Sequence, residues 1–274
     1  PTADVKDSGH EPMGWMIQRA IDDGADIITT STVVGSGSLT DTKTIAELIA
    51  RKIPFVSGNP NDVFNEGPLP AGYTGVVAVS AVDKDGKLPI GALGVENQVA
   101  ETTVVAPGVD IAVIGDGSGS WDVSGRATGT SLAAPQVAGI LAAAKQKYPD
   151  ATGNQLLQSL VRNTGTEDHE LQYSETGGFG YGVASLRHVL SKDATQYEDV
   201  NPLLGKLTPQ PSPEQIAEAE QALASAESDG EPGGTNSDGF AALLPVIIGV
   251  GVGALALIVV GVVVTVVLVR RSRR

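Results

Sequence analysis

Gly129-Thr130-Ser131-Leu132-Ala133-Ala134-Pro135, running on into Gln136-Val137-Ala138-Gly139-Ile140-Leu141-Ala142-Ala143-Ala144, is the stretch around which the rest of the chain is organised. It reads as a tight turn feeding a helix that is apolar on nearly every side. Such a helix is buried in a large core or in a membrane. Lys145, Gln146 and Lys147 close it and Pro149 stops it, which favours a soluble core: cations suit the last helical turn and proline cannot continue it. Ser131 therefore stands at the start of a buried helix, and two roles are open to it there. It is an N-cap, as most serines before helices are. Or it is a nucleophile whose developing oxyanion is stabilised by helix-start amides.

Working outward, helices and strands alternate. Met13, Trp15, Met16, Ile17, Ala20 and Ile21 fall largely on one helical face that ends near Gly24, and Ala25 to Ser31 reads as a strand. Ile45, Leu48 and Ile49 mark a second amphipathic helix over 42–52, followed by a short strand over 53–57. Val76-Val77-Ala78-Val79-Ser80-Ala81-Val82 is a β-branched run closed by the Asp83 to Gly86 turn, the pattern of a fully buried strand. Val104 to Ile111 is a further strand and turn, 115–119 a glycine-rich turn, and 154–163 a helix carrying Leu156, Leu157, Leu160 and Val161. This alternation predicts an α/β fold, a mostly parallel sheet with helices on both faces.

Charge and composition narrow the functional classes. Among 274 residues, 18 are basic and 32 acidic, a net charge of −14, which argues against a nucleic-acid partner. The absence of cysteine excludes disulfides, thiol nucleophiles and zinc-thiolate sites, and three histidines (10, 169 and 188) make a polyhistidine metal site a poor reading.

Gly-Thr-Ser-Leu-Ala-Ala-Pro with Val-Ala-Gly behind it resembles the nucleophile motif of the subtilisin-like serine proteases, and the likeness extends over about residues 4–191. By that resemblance Ser131 is the nucleophile, with Thr130 beside it in the substrate cleft. The apolar strand ending in Gly58-Asn59 resembles the family's oxyanion loop, which implies that Asn59 donates its side-chain amide to the oxyanion alongside the Ser131 N–H. Read without the family, Asn59 is a turn residue, as Asn-Pro and Asn-Asp pairs often are. The backbone from Ser31 to Gly35, together with Gly58, would pair with an extended peptide substrate. Thr32-Val33-Val34 departs from the family there, because glycine usually comes sooner. Ala106-Pro107-Gly108 and Gly177 to Val183 also have family counterparts, to which no chemistry is assigned.

The family works with Asp, His and Ser in that chain order. Asp4-Val5-Lys6-Asp7-Ser8-Gly9 has a superficial likeness to the aspartate segment but no strand before it. His10 is followed by Glu11-Pro12 rather than by Gly-Thr, and His169 and His188 follow the nucleophile. The chain, which opens on Pro1, is therefore expected to be the C-terminal part of a complete protease. The alternative is an inactive protease-like module that binds peptides or scaffolds a membrane complex. No cofactor is implied; calcium, which many members of the family bind, is not signalled by any motif.

Beyond the partial peptidase domain (1–191), residues 192–239 read as a Pro/Gly/Ser/acidic linker or stalk, with a short acidic helix over 213–225. Residues 240–269 contain no charge, and about 20 apolar residues suffice to cross a bilayer. Residues 270–274 hold four arginines, the mark of a cytoplasmic tail. The expected layout is a single-pass plasma-membrane protein, bacterial in style, with its peptidase domain outside the cytoplasm and polypeptides as substrates. It resembles the mycosins, the membrane-anchored subtilases of type VII secretion.

Overall fold

The computed structural model describes residues 12–34, 42–62, 66, 68–91, 94–115, 121–166, 168–174, 177–205 and 210–228. Contacts divide the chain into Pro1–Ala226 and Glu227–Arg274. Of the second unit, only the end of one helix is among the described residues, so the architecture below is that of the first. The predicted membrane span over 240–269, the basic tail, His10 and Gly35 lie outside the described residues. Among the described residues no helix is long and apolar enough to cross a membrane.

Helix α1 (Pro12–Asp22) buries Met13, Ile17 and Ile21, one residue per turn. Gly24 ends it at φ 76°, a conformation that favours glycine. Strand β1 (Ile28–Thr30) leads to α2 (Thr42–Ala50), and β2 (Phe55–Gly58) follows. Strands β3 (Val77–Val82) and β4 (Val104–Pro107) complete a four-stranded sheet in the order β1-β2-β3-β4, parallel throughout. Every residue of β2 and β3 is buried, as their continuous apolar runs require in the middle of a parallel sheet. An antiparallel hairpin, β5 (Ile111–Ile114) with β6 (Ser124–Ala127), then delivers the chain to α3 (Thr130–Lys147). Helices α4 (Gly153–Arg162), α5 (Leu186–Ser191) and α6 (Pro213–Ser228) follow. The α4 start carries a reciprocal cap, the Thr152 hydroxyl accepting from the Gln155 N–H and the Gln155 side chain accepting from the Thr152 N–H.

Helices do lie on both faces of the sheet. Helix α3 crosses all four strands, packing Ala133, Ala134, Val137, Ala138, Leu141 and Ala144 against Val56, Val77, Val79, Val104 and Ala106. The opposite face carries α1 and α2, with Ile45, Leu48 and Phe55 among Met13, Ile17 and Tyr73. Phe55 and Val56 are neighbours in sequence and serve opposite cores, as the two-residue period of a strand demands.

Two findings differ from the sequence reading. Helix α3 is buried along one stripe only; Ser131, Pro135, Gln136, Gly139 and Ala142 are exposed, and its apolar look comes from small residues that solvent tolerates. The stretch over 192–239 also does more than connect. Ala194, Asn201, Leu203 and Ile216 are buried, and Ile216 with Ala219 joins the α1–α2 cluster, so its first part packs as structure of the domain.

Candidate active site

The site lies where β1, β2 and the hairpin converge on the first turn of α3. Two glycines allow that convergence. A Cβ on Gly58, at the end of β2, would stand 3.0 Å from the Thr130 hydroxyl and 3.3 Å from the Thr130 carbonyl carbon. A Cβ on Gly108 would stand 2.6 Å from Ala81 Cβ and 2.8 Å from the Gly129 carbonyl oxygen. The Gly129 N–H in turn donates to the Gly108 carbonyl at 2.8 Å. Below this junction an exposed ion pair, Arg126 Nη1 to Asp110 Oδ2 at 2.7 Å, ties the hairpin to itself.

Ser131 is exposed at the second helical position. Its hydroxyl donates to the Ser31 carbonyl at 3.4 Å, and the Ser31 hydroxyl donates to the Ser131 carbonyl at 3.0 Å. The second bond has a covalent cause. In a helix the Ser131 carbonyl would accept from the amide four residues on, but that residue is Pro135, which has no N–H. Ser31 fills the gap and so stitches the end of β1 to the first turn of α3. The Ser131 N–H has no hydrogen-bond partner among the described residues. An unclaimed amide beside an exposed serine hydroxyl is the arrangement that acyl transfer requires.

Thr130, by contrast, is buried and fully engaged. Its hydroxyl donates to the Asn59 carbonyl at 2.6 Å, and its N–H donates to Asn61 Oδ1 at 2.9 Å.

Asn59 occupies the loop that faces the first turn of α3, but its side chain is turned to Ser80 and Thr102. Only 1% of the residue is exposed. Both hydrogens of its amide are used, one on Ser80 Oγ and one on Thr102 Oγ1, each at 2.9 Å. Those hydroxyls contact each other at 2.9 Å, and Thr102 passes its own hydrogen to the Val99 carbonyl at 2.7 Å. The sequence reading placed this amide beside Ser131; in the structure it closes a buried polar network, because a buried amide must satisfy its donors and two hydroxyls stand within reach. Asn59 meets the turn only through its carbonyl; the side chain of this loop that touches the turn is that of Asn61, which the sequence reading did not single out.

Of the other predicted residues, Ser31, Gly58, Thr130 and Ser131 come together. His169 is held by Thr164 and by the Glu170 carbonyl at 2.7 Å, and the Nδ1 of His188 on α5 is buried without a partner. Among the described residues, no histidine and no carboxylate hydrogen-bonds Ser131. Nor is there, among them, a cluster of three His, Asp or Glu side chains able to hold a metal ion.

The family model described as "Subtilase family" matches residues 4–182. The chain is 33% identical over 145 residues to the thermostable alkaline protease of Halalkalibacterium halodurans, covering 53% of this chain and 38% of that protein. It is 31% identical over 157 residues to subtilisin DY of Bacillus licheniformis, covering 54% of each. Among solved structures it is similar to fervidolysin of Fervidobacterium pennivorans, described as a keratinolytic enzyme related to subtilisin. The TM-score there is 0.53 and the identity 26%, over 65% of this chain and 28% of that one. The chain thus spans about half or less of the length of these relatives.

Proposed function

The chain belongs to the subtilase family, and from that premise we propose that it is the nucleophile-bearing part of a serine endopeptidase acting on polypeptides through an acyl-enzyme at Ser131. The observation that carries this reading is the pairing, at one residue, of an exposed hydroxyl with an unclaimed helix-start N–H. The hydroxyl attacks the scissile carbonyl, and the N–H receives the oxyanion that forms. An extended substrate lies along the backbone that follows β1, from Ser31 toward Gly35, where an added strand would satisfy its own amides. Asn59 would act as the second oxyanion donor only by leaving Ser80 and Thr102. A base and its orienting acid would have to reach Ser131 from outside the described residues.

Residues 240–269 anchor the protein as one membrane-spanning helix, with the arginines of 270–274 on the cytoplasmic side and the acidic peptidase domain outside. Extraction at alkaline pH and protease protection of the tail test this layout: release of the protein by alkaline carbonate would refute it. The catalytic reading is tested by reacting the full-length protein with a fluorophosphonate, which labels only an activated serine. Labelling that maps to Ser131 and disappears in Ser131→Ala is expected. Full-length protein left unlabelled would favour a second reading, a peptide-binding module without turnover, which the inward commitment of the Asn59 amide supports.

A further inference from the structure

Helix α3 begins without a local cap. Its N-cap residue is Gly129, which has no side chain, and the first amide of the helix, that of Thr130, must find an acceptor elsewhere. It finds Asn61 Oδ1 at 2.9 Å, an oxygen 69 positions away in sequence, on the loop after β2. We propose that Asn61 is a positioning residue for the nucleophile: it caps α3 from another element, holds the Thr130 peptide, and thereby aims the Ser131 N–H and hydroxyl at the substrate. This inference rests on Ser131 being the nucleophile.

Several contacts make the cap rigid. The Asn61 N–H donates to Glu66 Oε2 at 2.6 Å, and the carbonyl of Pro60 before it accepts from Asn97 Nδ2 at 3.0 Å. Asn97 is itself buried, so this anchor is fixed to the body of the domain. The Thr130 hydroxyl adds a second tie to the same loop through the Asn59 carbonyl. The carboxamide of Asn61 also lies close to Gly129, whose Cβ position would be 3.3 Å from Oδ1. The polarity of the amide is decided by its partner. Thr130 presents an N–H, so the oxygen of Asn61 must face it, and the NH₂ group is turned away. The role is therefore that of an acceptor, and aspartate, which keeps an oxygen in the same place, should perform it while alanine should not.

The experiment compares full-length wild type, Asn61→Ala and Asn61→Asp. It measures kcat and KM on a peptide substrate, the rate of fluorophosphonate labelling at Ser131, and the melting temperature. The Asp variant is assayed also at high salt, where an exposed charge is screened. Expected for Asn61→Ala is a fall of about 10²-fold in kcat and in labelling rate, the scale set by small misplacement of a reacting group, with KM within about twofold. Asn61→Asp should recover most of that loss. A labelled wild type with an unimpaired Ala variant overturns the positioning role and leaves the proposed function standing. Equal losses in Ala and Asp also overturn it, because they would assign the work to the NH₂ group. An Ala variant that loses melting temperature but keeps kcat reduces Asn61 to a structural cap. A wild type that is never labelled at Ser131 overturns the functional reading, and this inference with it.

Discussion

The first turn of α3 and the loop after β2 face each other across the site, and they are built on opposite plans. The turn is open: Ser131 is exposed, its N–H is unclaimed among the described residues, and its carbonyl is held by a single hydroxyl from Ser31. The loop is closed: the amide hydrogens of Asn59, the carbonyl of Pro60 and the N–H of Asn61 all have partners. A reacting group needs free valence, and the group that holds it in place needs none. Two asparagines on one loop show the same division. Asn59 looks inward and completes a network, whereas Asn61 looks outward and touches the helix that carries Ser131.

The largest test of this contrast removes the open side. Ser131→Ala in the full-length enzyme should lower turnover by about 10⁶-fold, the scale known for deleting a serine nucleophile, while leaving the melting temperature within a few degrees. A variant that keeps even a hundredth of its turnover would show that the open turn is not where the chemistry occurs. Next comes the distance between the two sides. Gly58→Ala places a methyl 3.0 Å from the Thr130 hydroxyl and should push the turn off the loop, with a fall of about 10²-fold in kcat and a folded protein by circular dichroism. Unchanged kinetics would mean that the turn adapts and that close approach is dispensable.

The closed side is probed by Asn59→Ala. Loss of the buried amide leaves the Ser80 and Thr102 hydroxyls short of a partner and should cost about 1–3 kcal/mol in chemical denaturation. Turnover per folded molecule should fall less than about tenfold. A loss of 10²–10³ in kcat, the range for an oxyanion donor, would instead show that Asn59 leaves its pocket during the reaction.

The smallest effect lies away from the site. Asp199 accepts from Lys52 Nζ at 2.5 Å and from the Thr152 hydroxyl at 2.6 Å. Desolvation pushes its carboxyl up, but these partners outweigh it and hold the group below the usual carboxylate range. A carboxylate whose folded value is depressed contributes stability that is complete above its unfolded value, about 3.9, and that fades as pH falls through the folded one. Asp199→Asn should therefore lower stability by less than about 1 kcal/mol at pH 6, and the difference should vanish toward pH 3 and below. A difference that persists at low pH would assign the effect to packing.

Much of this was legible in the sequence because the signals were local and redundant. The buried run Val77–Val82, the helical spacing of Ile45, Leu48 and Ile49, and the glycines and proline around Ser131 each dictate one backbone state. The hairpin escaped because β6, Ser124 to Ala127, carries no apolar alternation; its pairing with β5 rests on backbone bonds that any side chains permit. Helix α6 read as a stalk because its few apolar residues look weak alone, yet Ile216 and Ala219 find a ready-made cluster on α1 and α2. The side-chain directions of the two asparagines lay beyond sequence reasoning for the same reason. Which way an amide points depends on partners 20 to 70 positions away, the accepting hydroxyls of Ser80 and Thr102 and the donating N–H of Thr130, and no pattern within the Asn-Pro-Asn-Asp stretch encodes them.

The two ends of the sheet are not equivalent. The outer side of β4 is sealed where the Val105 N–H donates to Gly182 and the Val105 carbonyl accepts from Ala184. The outer side of β1 has no strand paired to it among the described residues. Since β1 runs directly into Ser31, a strand added there in the direction of the others would finish beside Ser131. Whatever lies along that edge, chain or bound peptide, therefore shares its end with the exposed Ser131 hydroxyl.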